Sequence, residues 1–336
     1  MNKFRYFIGI DVSKLTLDIC VLDQSESIYT DCIANQPKAI TKLFNQLKRK
    51  GIDCKNSLVC AENTGIYTVH LQRYGHSKTL NLWVENAMQI KKSQGVQRGK
   101  SDKVDALRIA EYAFRNQDKF VLWNPLREPV ALLKKLSSLR KRLIDNQKRL
   151  KQSFTDSDFL STKEKSYLKK ACRSSLSALK KDIKQIEAQM NQIIKEDHQL
   201  YRLFKIITSV DGVGSQTAIE ILITTNELRN ISEAKKYACY SGVVPFNYSS
   251  GTSVKTKPRV SKMANNKVKS LLHMCALSAI KMEGEMREYY LRKTKEGKNK
   301  MSTINAVRNK LVNRIFACVK QNRVYQKKYQ FSLVNP

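Results

Sequence analysis

FRYFIGIDVSKLTLDICVLD, residues 4–23, holds two β-rich runs, 4–10 and 15–22, on either side of a turn centred on Asp11 to Lys14. The first run is almost wholly apolar, as a central strand would be, so the pair reads as a hairpin inside a sheet. Downstream, PKAITKLFNQLKRK (37–50) sets Ile40, Leu43, Phe44 and Leu47 at helical spacing behind Pro37. SLVCAEN (57–63) reads as a short buried strand. IYTVHLQRYG (66–75) reads as a helix that closes at Gly75, and KTLNLWVE (78–85) as a further strand. Strand–strand–helix–strand–helix–strand predicts an α/β domain with a largely buried sheet.

The stretch NAMQIKKSQGVQRGKS (86–101) is polar and basic and reads as a surface loop; DKVDALRIAEYAFRN (102–116) resumes a helix. Pro125 and Pro129 bracket the entry to the next segment, where Leu126, Leu133, Leu136, Leu143 and Leu150 form a partial seven-residue repeat. Leu168, Cys172, Leu176, Leu179, Ile183, Ile186, Met190 and Ile193 follow at steps of four and three. These runs suit a long antiparallel helical pair, an intermolecular coiled coil, or two core helices of a bundle. From residue 200, YRLFKIITSV, DGVG and SQTAIEILITT read as helix, glycine turn and helix. ISEAKKYACYSGVVP (231–245) adds a helix, NYSSGTSVKTKPRVSK (247–262) reads as a basic loop, and 266–281 and 302–319 as basic amphipathic helices. The expected division is an α/β domain over 1–125, a helical spacer over 126–199 and a mostly α-helical domain over 200–330.

The 336 residues carry 62 Lys and Arg against 29 Asp and Glu, a net charge of +33, with 41% hydrophobic residues. Such a chain has material for real cores and calls for a polyanionic partner, nucleic acid first and an anionic membrane surface second. The opening MNKFRYFIGIDVSK has no signal-like apolar stretch, and no run of 18 apolar residues occurs. The eight cysteines contain no CxxC and sit among apolar neighbours, as small core residues of a reducing compartment do. A cytoplasmic nucleic-acid protein, with no membrane partner, is the expectation.

Carboxylates at the ends of apolar strands stand out against this charge. Asp11 follows YFIGI and Glu62 follows SLVCA, so adjacent strands would bring both to one sheet edge, where open α/β sheets hold ligands. Asp102 and Asp105 lie three apart at a helix start and share a face. Four converging carboxylates would form an all-oxygen cage suited to Mg2+. The plain alternatives are an N-cap and first-turn pair for Asp102 and Asp105, and a turn residue for Asp11.

GIDVSK around Asp11, AENTG around Glu62 and KSDKVDALRIA around Asp102 and Asp105 resemble the acidic tetrad of the insertion-sequence 110 family transposases. SVDGVGSQTAIEIL and KKYACYSGVVPFNYSSGTSVKTKPRVSK are similar to that family's C-terminal domain. The resemblance runs from about residue 5 to 320. It implies a first domain like the Holliday-junction resolvase branch of the ribonuclease H fold, a mixed sheet, followed by the helical spacer and the helical C-terminal domain. It also implies a recombinase that excises and inserts a mobile element, with Mg2+ on the tetrad and a serine that joins covalently to DNA. Donor and target duplexes, an element-encoded guide RNA, and dimers assembling to a tetramer complete the implied partners. The serine directly before the glycine is Ser250; Ser249 occupies a more variable slot. One departure is SKMANNKVKSLL, with Met263, Ala264, Asn265 and Asn266, and Lys269 where the family often has Arg. Lysine neutralises phosphate but lacks the rigid fork of arginine.

Further candidates for nucleic-acid contact follow from charge and glycine placement. Gly212 and Gly214 would let backbone amides approach a phosphate. Lys91, Lys92, Arg98 and Lys100 precede Asp102, and Lys255, Lys257, Arg259 and Lys262 surround Ser250. Tyr289, Tyr290, Arg292 and Lys293 mix rings with cations, as a base-stacking surface does. Two other functions fit the composition: a stand-alone metal-dependent junction-resolving nuclease with a water nucleophile, and an inactive nucleic-acid-binding scaffold.

Overall fold

The computed structural model describes residues 4–93, 102–152, 154, 159–250, 254–261 and 263–326. The chain divides into two compact units, 1–125 and 126–336. The first contains β1 (Tyr6–Val12), β2 (Thr16–Asp23), β3 (Glu26–Ala34), α1 (Pro37–Arg49), β4 (Ser57–Glu62), α2 (Val69–Ser77), β5 (Leu82–Glu85), α3 (Ala87–Lys92) and α4 (Asp102–Arg115). The sheet order is β3-β2-β1-β4-β5, with β1 antiparallel to β2, β2 antiparallel to β3, and β1, β4 and β5 mutually parallel. This mixed sheet is ribonuclease H-like, as the resemblance implied.

Strand alternation sorts its core into two layers. Ile8, Ile10, Val12, Val59, Ala61 and Leu82 pack with Ile40, Leu43, Phe44 and Leu47 of α1 and with Leu71 of α2. Phe7, Cys20, Leu58, Cys60 and Trp83 face the other way and meet Ala106, Ile109, Ala110 and Ala113 of α4. Two sequence expectations change here. The edge strand β3 was not anticipated: it is polar and largely exposed, so it carries no apolar run. Gly75 does not close its helix, which continues to Ser77. A Cβ at 75 would lie 2.9 Å from Leu82 Cδ2, so this glycine lets α2 sit close on β5.

The second unit contains α5 (Glu128–Gln152), α6 (Thr162–Ala171), α7 (Arg173–Glu196), α8 (His198–Thr208), α9 (Ser215–Thr225), α10 (Ala234–Tyr240), β6 (Pro245–Ser250), β7 (Val254–Val260), α11 (Asn266–Lys281), α12 (Glu285–Lys295) and α13 (Lys300–Lys320). The apolar period from Leu168 to Ile193 is split at Cys172, where α6 ends and α7 begins. α5 and α7 run antiparallel within the chain: Arg127 meets Asp197 and Arg140 meets Glu187. Val130 and Leu133 of α5 and Ile186, Met190 and Ile194 of α7 join one core with α8, α9, α11 and α13. α9 is buried on nearly every side, which its apolar run SQTAIEILITT permits. Within the segment read as a basic loop over 247–262, residues 247–250 and 254–260 instead form strands of the β6–β7 ribbon, while 251–253 and 262 lie outside the described residues. The ribbon's Tyr, Thr and Val favour strands, but PFNYSS and VKTKPRV alternate too few apolar residues to reveal them.

Candidate functional site

The sheet register places acids in a row. Ile10 pairs with Ala61, so Asp11 stands beside Glu62 at the next step of the parallel pair. Asp11 pairs with Asp18, Asp18 with Cys32, and Glu62 with Glu85. One rung thus crosses all five strands with carboxylates on four of them. By alternation it lies on the face that α4 covers. Aromatic contacts fix the direction of that helix along β1: Phe4 lies 5.6 Å from Phe120 and Phe7 lies 5.1 Å from Phe114. Gly9 then meets Ala110 and Ala106, and a Cβ there would fall 2.2 Å from Ala106 O and 2.3 Å from Ala110 N. Continuing past Gly9 to Asp11 leads to the first turn of α4, which begins at Asp102 and includes Asp105.

The individual acids differ in their surroundings. Asp11 and Glu62 are half-buried, while Asp18 is 7% exposed. Desolvation, and secondarily a hydrogen bond to Asp18, pushes the Cys32 thiol up. Glu85 accepts from the Asn86 amide at 2.6 Å and from the Tyr112 hydroxyl at 3.3 Å; burial first, then the Glu85 charge, holds that phenol protonated. Asp105 pairs with Arg108 at 2.9 Å. The Asp102 side chain lies outside the described residues. Among the described residues, no three His, Cys, Asp or Glu side chains close into a metal-holding group. The donor set along Asp11, Glu62 and Asp105 is nonetheless all carboxylate oxygen, the chemistry a hard divalent cation takes. Asp18 and Glu85 were missed in the sequence because their place depends on strand register. Pairing Asp11 with Asp18 across the six intervening residues would have found the first.

Ser250 is the last residue of β6 and pairs through its backbone with Val254; Ser249 pairs with Lys255. The side chains of Ser250, Lys255 and Lys257 lie outside the described residues, as do Arg98, Lys100 and Lys262 entirely. Lys91 and Lys92 are exposed at the end of α3, and Arg259 is exposed on β7. The two glycines of DGVG part company. Gly212 has φ +83°, and a Cβ there would meet Cys275 O at 2.7 Å and Ala279 N at 2.9 Å, so packing against α11 accounts for this glycine. Gly214 has open space around it and caps α9. On α12, Tyr289 and Tyr290 are half-buried against the core. Lys310 and Arg292 already lie over the Tyr289 ring at 4.7 and 5.9 Å, and Lys293 is tied to Glu296 at 2.6 Å.

A basic cleft of about 380 Å3 between α5, α9 and α11 was not anticipated. At its floor Lys267 Nζ lies 2.6 Å from Glu220 and donates to Ser137 at 2.8 Å; Arg140, Lys141 and Lys148 rim it.

Comparison with known proteins finds two family models along the chain. Residues 8–157 match the DEDD transposase domain of the IS110 type, a span that includes all four acids of the tetrad. Residues 204–291 match the Transposase IS116/IS110/IS902 family, a span that includes Gly212, Gly214 and Ser250. The chain belongs to the IS116/IS110/IS902 transposase family. Its relatives include the pilin gene-inverting proteins of Moraxella bovis and Moraxella lacunata. Each is 25% identical over 329 residues, covering 96% of this chain and 98% of the relative. An insertion element IS110 protein of 43.6 kDa from Streptomyces coelicolor is 26% identical over 153 residues, 46% of this chain and 36% of that protein. Family membership makes this chain a transposase or recombinase acting on DNA. Among its described residues no helix is long and apolar enough to cross a membrane.

Proposed function

We propose that this family member excises a mobile DNA element and inserts it elsewhere by strand cleavage and exchange, with Ser250 as nucleophile and Asp11, Glu62, Asp102 and Asp105 as the acidic centre. The observation that carries the reading is the rung on which Asp11 and Glu62 stand side by side, facing the helix that begins with Asp102. These four residues would hold Mg2+, which when bound activates an oxygen nucleophile and neutralises charge on a leaving oxygen. In the attack, Ser250 Oγ forms a bond to phosphorus as one backbone P–O bond breaks. The serine proton is lost, and the leaving oxygen gains one as a hydroxyl. The energy of the diester is kept in the serine ester, so a second hydroxyl can reverse the step on another strand. The basic surfaces from Lys91 to Lys92 and from Lys255 to Arg259 would grip backbone phosphate, with Gly214 offering amides at the start of α9.

The family resemblance adds a guide RNA from the element that would choose donor and target, which suits contacts that grip backbone phosphate without reading sequence, and a working form of dimers paired into a tetramer. A second reading, site-specific inversion of a DNA segment, is favoured by the near full-length similarity to pilin gene-inverting proteins. Inversion begins with the same attack and differs in where the two sites lie. The test is reconstitution: protein, Mg2+, a transcript of the element's flanking region and two duplexes. Transposition predicts joining between separate molecules that requires the transcript. Inversion predicts joining within one molecule carrying both sites, and no joining of either kind would refute both.

A further inference from the structure

We propose that Arg308, His273 and Lys269 form a seat for a backbone phosphate of the DNA strand at the foot of the β6–β7 ribbon. The inference rests on the functional reading above, since that ribbon carries Ser250. Arg308 of α13 is only 6% exposed. One terminal nitrogen lies 2.6 Å from His273 Nδ1 and the other 3.4 Å from Asn305 Oδ1, while its buried Nε has no partner. Among the described residues no carboxylate stands within ion-pair distance of it. Other arginines in this chain are compensated: Arg127 by Asp197 and Glu227, Arg140 by Glu187, Arg108 by Asp105. Burying a guanidinium without a counter-charge is costly, and the cost is offset when the anion arrives from outside.

The neighbours complete the seat. A guanidinium can only donate, so His273 Nδ1 accepts and Nε2 carries the ring proton. Burial, and then the Arg308 charge, holds this imidazole below its ordinary value, which keeps it a neutral donor. Lys269 lies one helical turn before His273 on the same face of α11, half-buried and without an ion-pair partner among the described residues. One turn before Arg308, Asn305 donates to Val243 O at 2.7 Å, in the turn that leads into β6. Gly242 of that turn packs on Ala264, two residues before α11, where a Cβ would come 2.2 Å from Ala264 Cβ. A guanidinium, a ring N–H and an ammonium are all donors, which suits the anionic oxygens of a phosphodiester.

The test is fluorescence anisotropy of a labelled random-sequence DNA duplex with the full-length protein over a range of salt. Lys269→Ala and His273→Leu are each expected to weaken binding about tenfold. Lys269→Ala should also flatten the log–log salt slope by about 0.9. His273→Gln, which can accept from Arg308 and donate onward, should restore most of the affinity lost in His273→Leu. The exposed Lys163→Ala should change affinity far less. Unchanged affinity and slope in both seat variants, or equal losses in Lys163→Ala, would overturn the seat while the wild-type chain still bound DNA. A wild-type chain that bound no duplex would remove the functional reading with it.

Discussion

Glu85 already has a hydroxyl and an amide on its oxygens, and Asp18 is shut in beside Cys32, whereas Glu62 sits half-exposed at the end of its strand beside Asp11. On one rung of four carboxylates, the proposed centre takes the inner pair, both half-buried. Asp11→Asn, Glu62→Gln and Asp102→Asn should each abolish strand exchange and leave RNA affinity nearly intact, because each removes an oxygen charge without touching a cation. Asp105→Asn should do the same with some loss of stability, since it also removes the Asp105–Arg108 ion pair. Glu85→Gln keeps an acceptor for Tyr112 and should retain exchange. Measuring exchange and RNA binding side by side on these five variants decides the set. A different residue, Arg127, carries structure alone. It donates to both oxygens of Asp197 and both of Glu227, whose side chain is fully buried. Glu227 lies between Asn226 and Leu228 in a left-handed turn of three non-glycine residues. Arg127→Ala should cost about 3–5 kcal/mol in denaturant unfolding, because it leaves buried charge unpaired. The Arg127 bond holds the Asp197 carboxyl below the ordinary range. That contribution is present above the usual carboxylate pKa and is lost as pH falls through the depressed value, so Asp197→Asn should flatten the acid limb of a stability–pH curve.

α4 is placed by one missing side chain. At Gly9 the helix backbone itself occupies the space a Cβ would need, and backbone cannot swing aside as a flexible side chain can. Gly9→Ala should therefore lift α4 from β1, at a cost of about 1–3 kcal/mol, and slow strand exchange by moving Asp105 away from Asp11. Equal stability and exchange rates in wild type and variant would remove this glycine from the account. The sequence revealed what burial writes into it. β1 reads as a central strand because both its faces are covered, and α4 reads as a helix because Ala106, Ile109, Ala110 and Ala113 return to one side. The edge strand β3 has little to bury, so composition hid it, and the β6–β7 ribbon alternates too few apolar residues to announce strands. The acids of β1 and β4 were legible because each ends an apolar run. Asp18 and Glu85 were not, since only strand pairing brings them level. The Arg308–His273 contact joins residues 35 apart on two helices, which no local pattern could announce.

The net charge of +33 belongs to the molecule as a whole and should govern how it meets nucleic acid. Each neutralised duplex phosphate adds about −0.9 to the slope of log affinity against log salt, so DNA binding should weaken steeply from low to moderate salt. A flat dependence would contradict the electrostatic reading. With Ser250 as the proposed nucleophile, chemistry should separate from binding there, because removing its oxygen leaves the cations of β7 in place. Denaturing gels with labelled DNA, run on wild type, Ser250→Ala, Ser249→Ala and Asp11→Asn, test that separation directly. The account predicts a protein–DNA adduct in wild type and Ser249→Ala, and none in Ser250→Ala or Asp11→Asn, with DNA binding kept in all four. An adduct that persists in Ser250→Ala would contradict it.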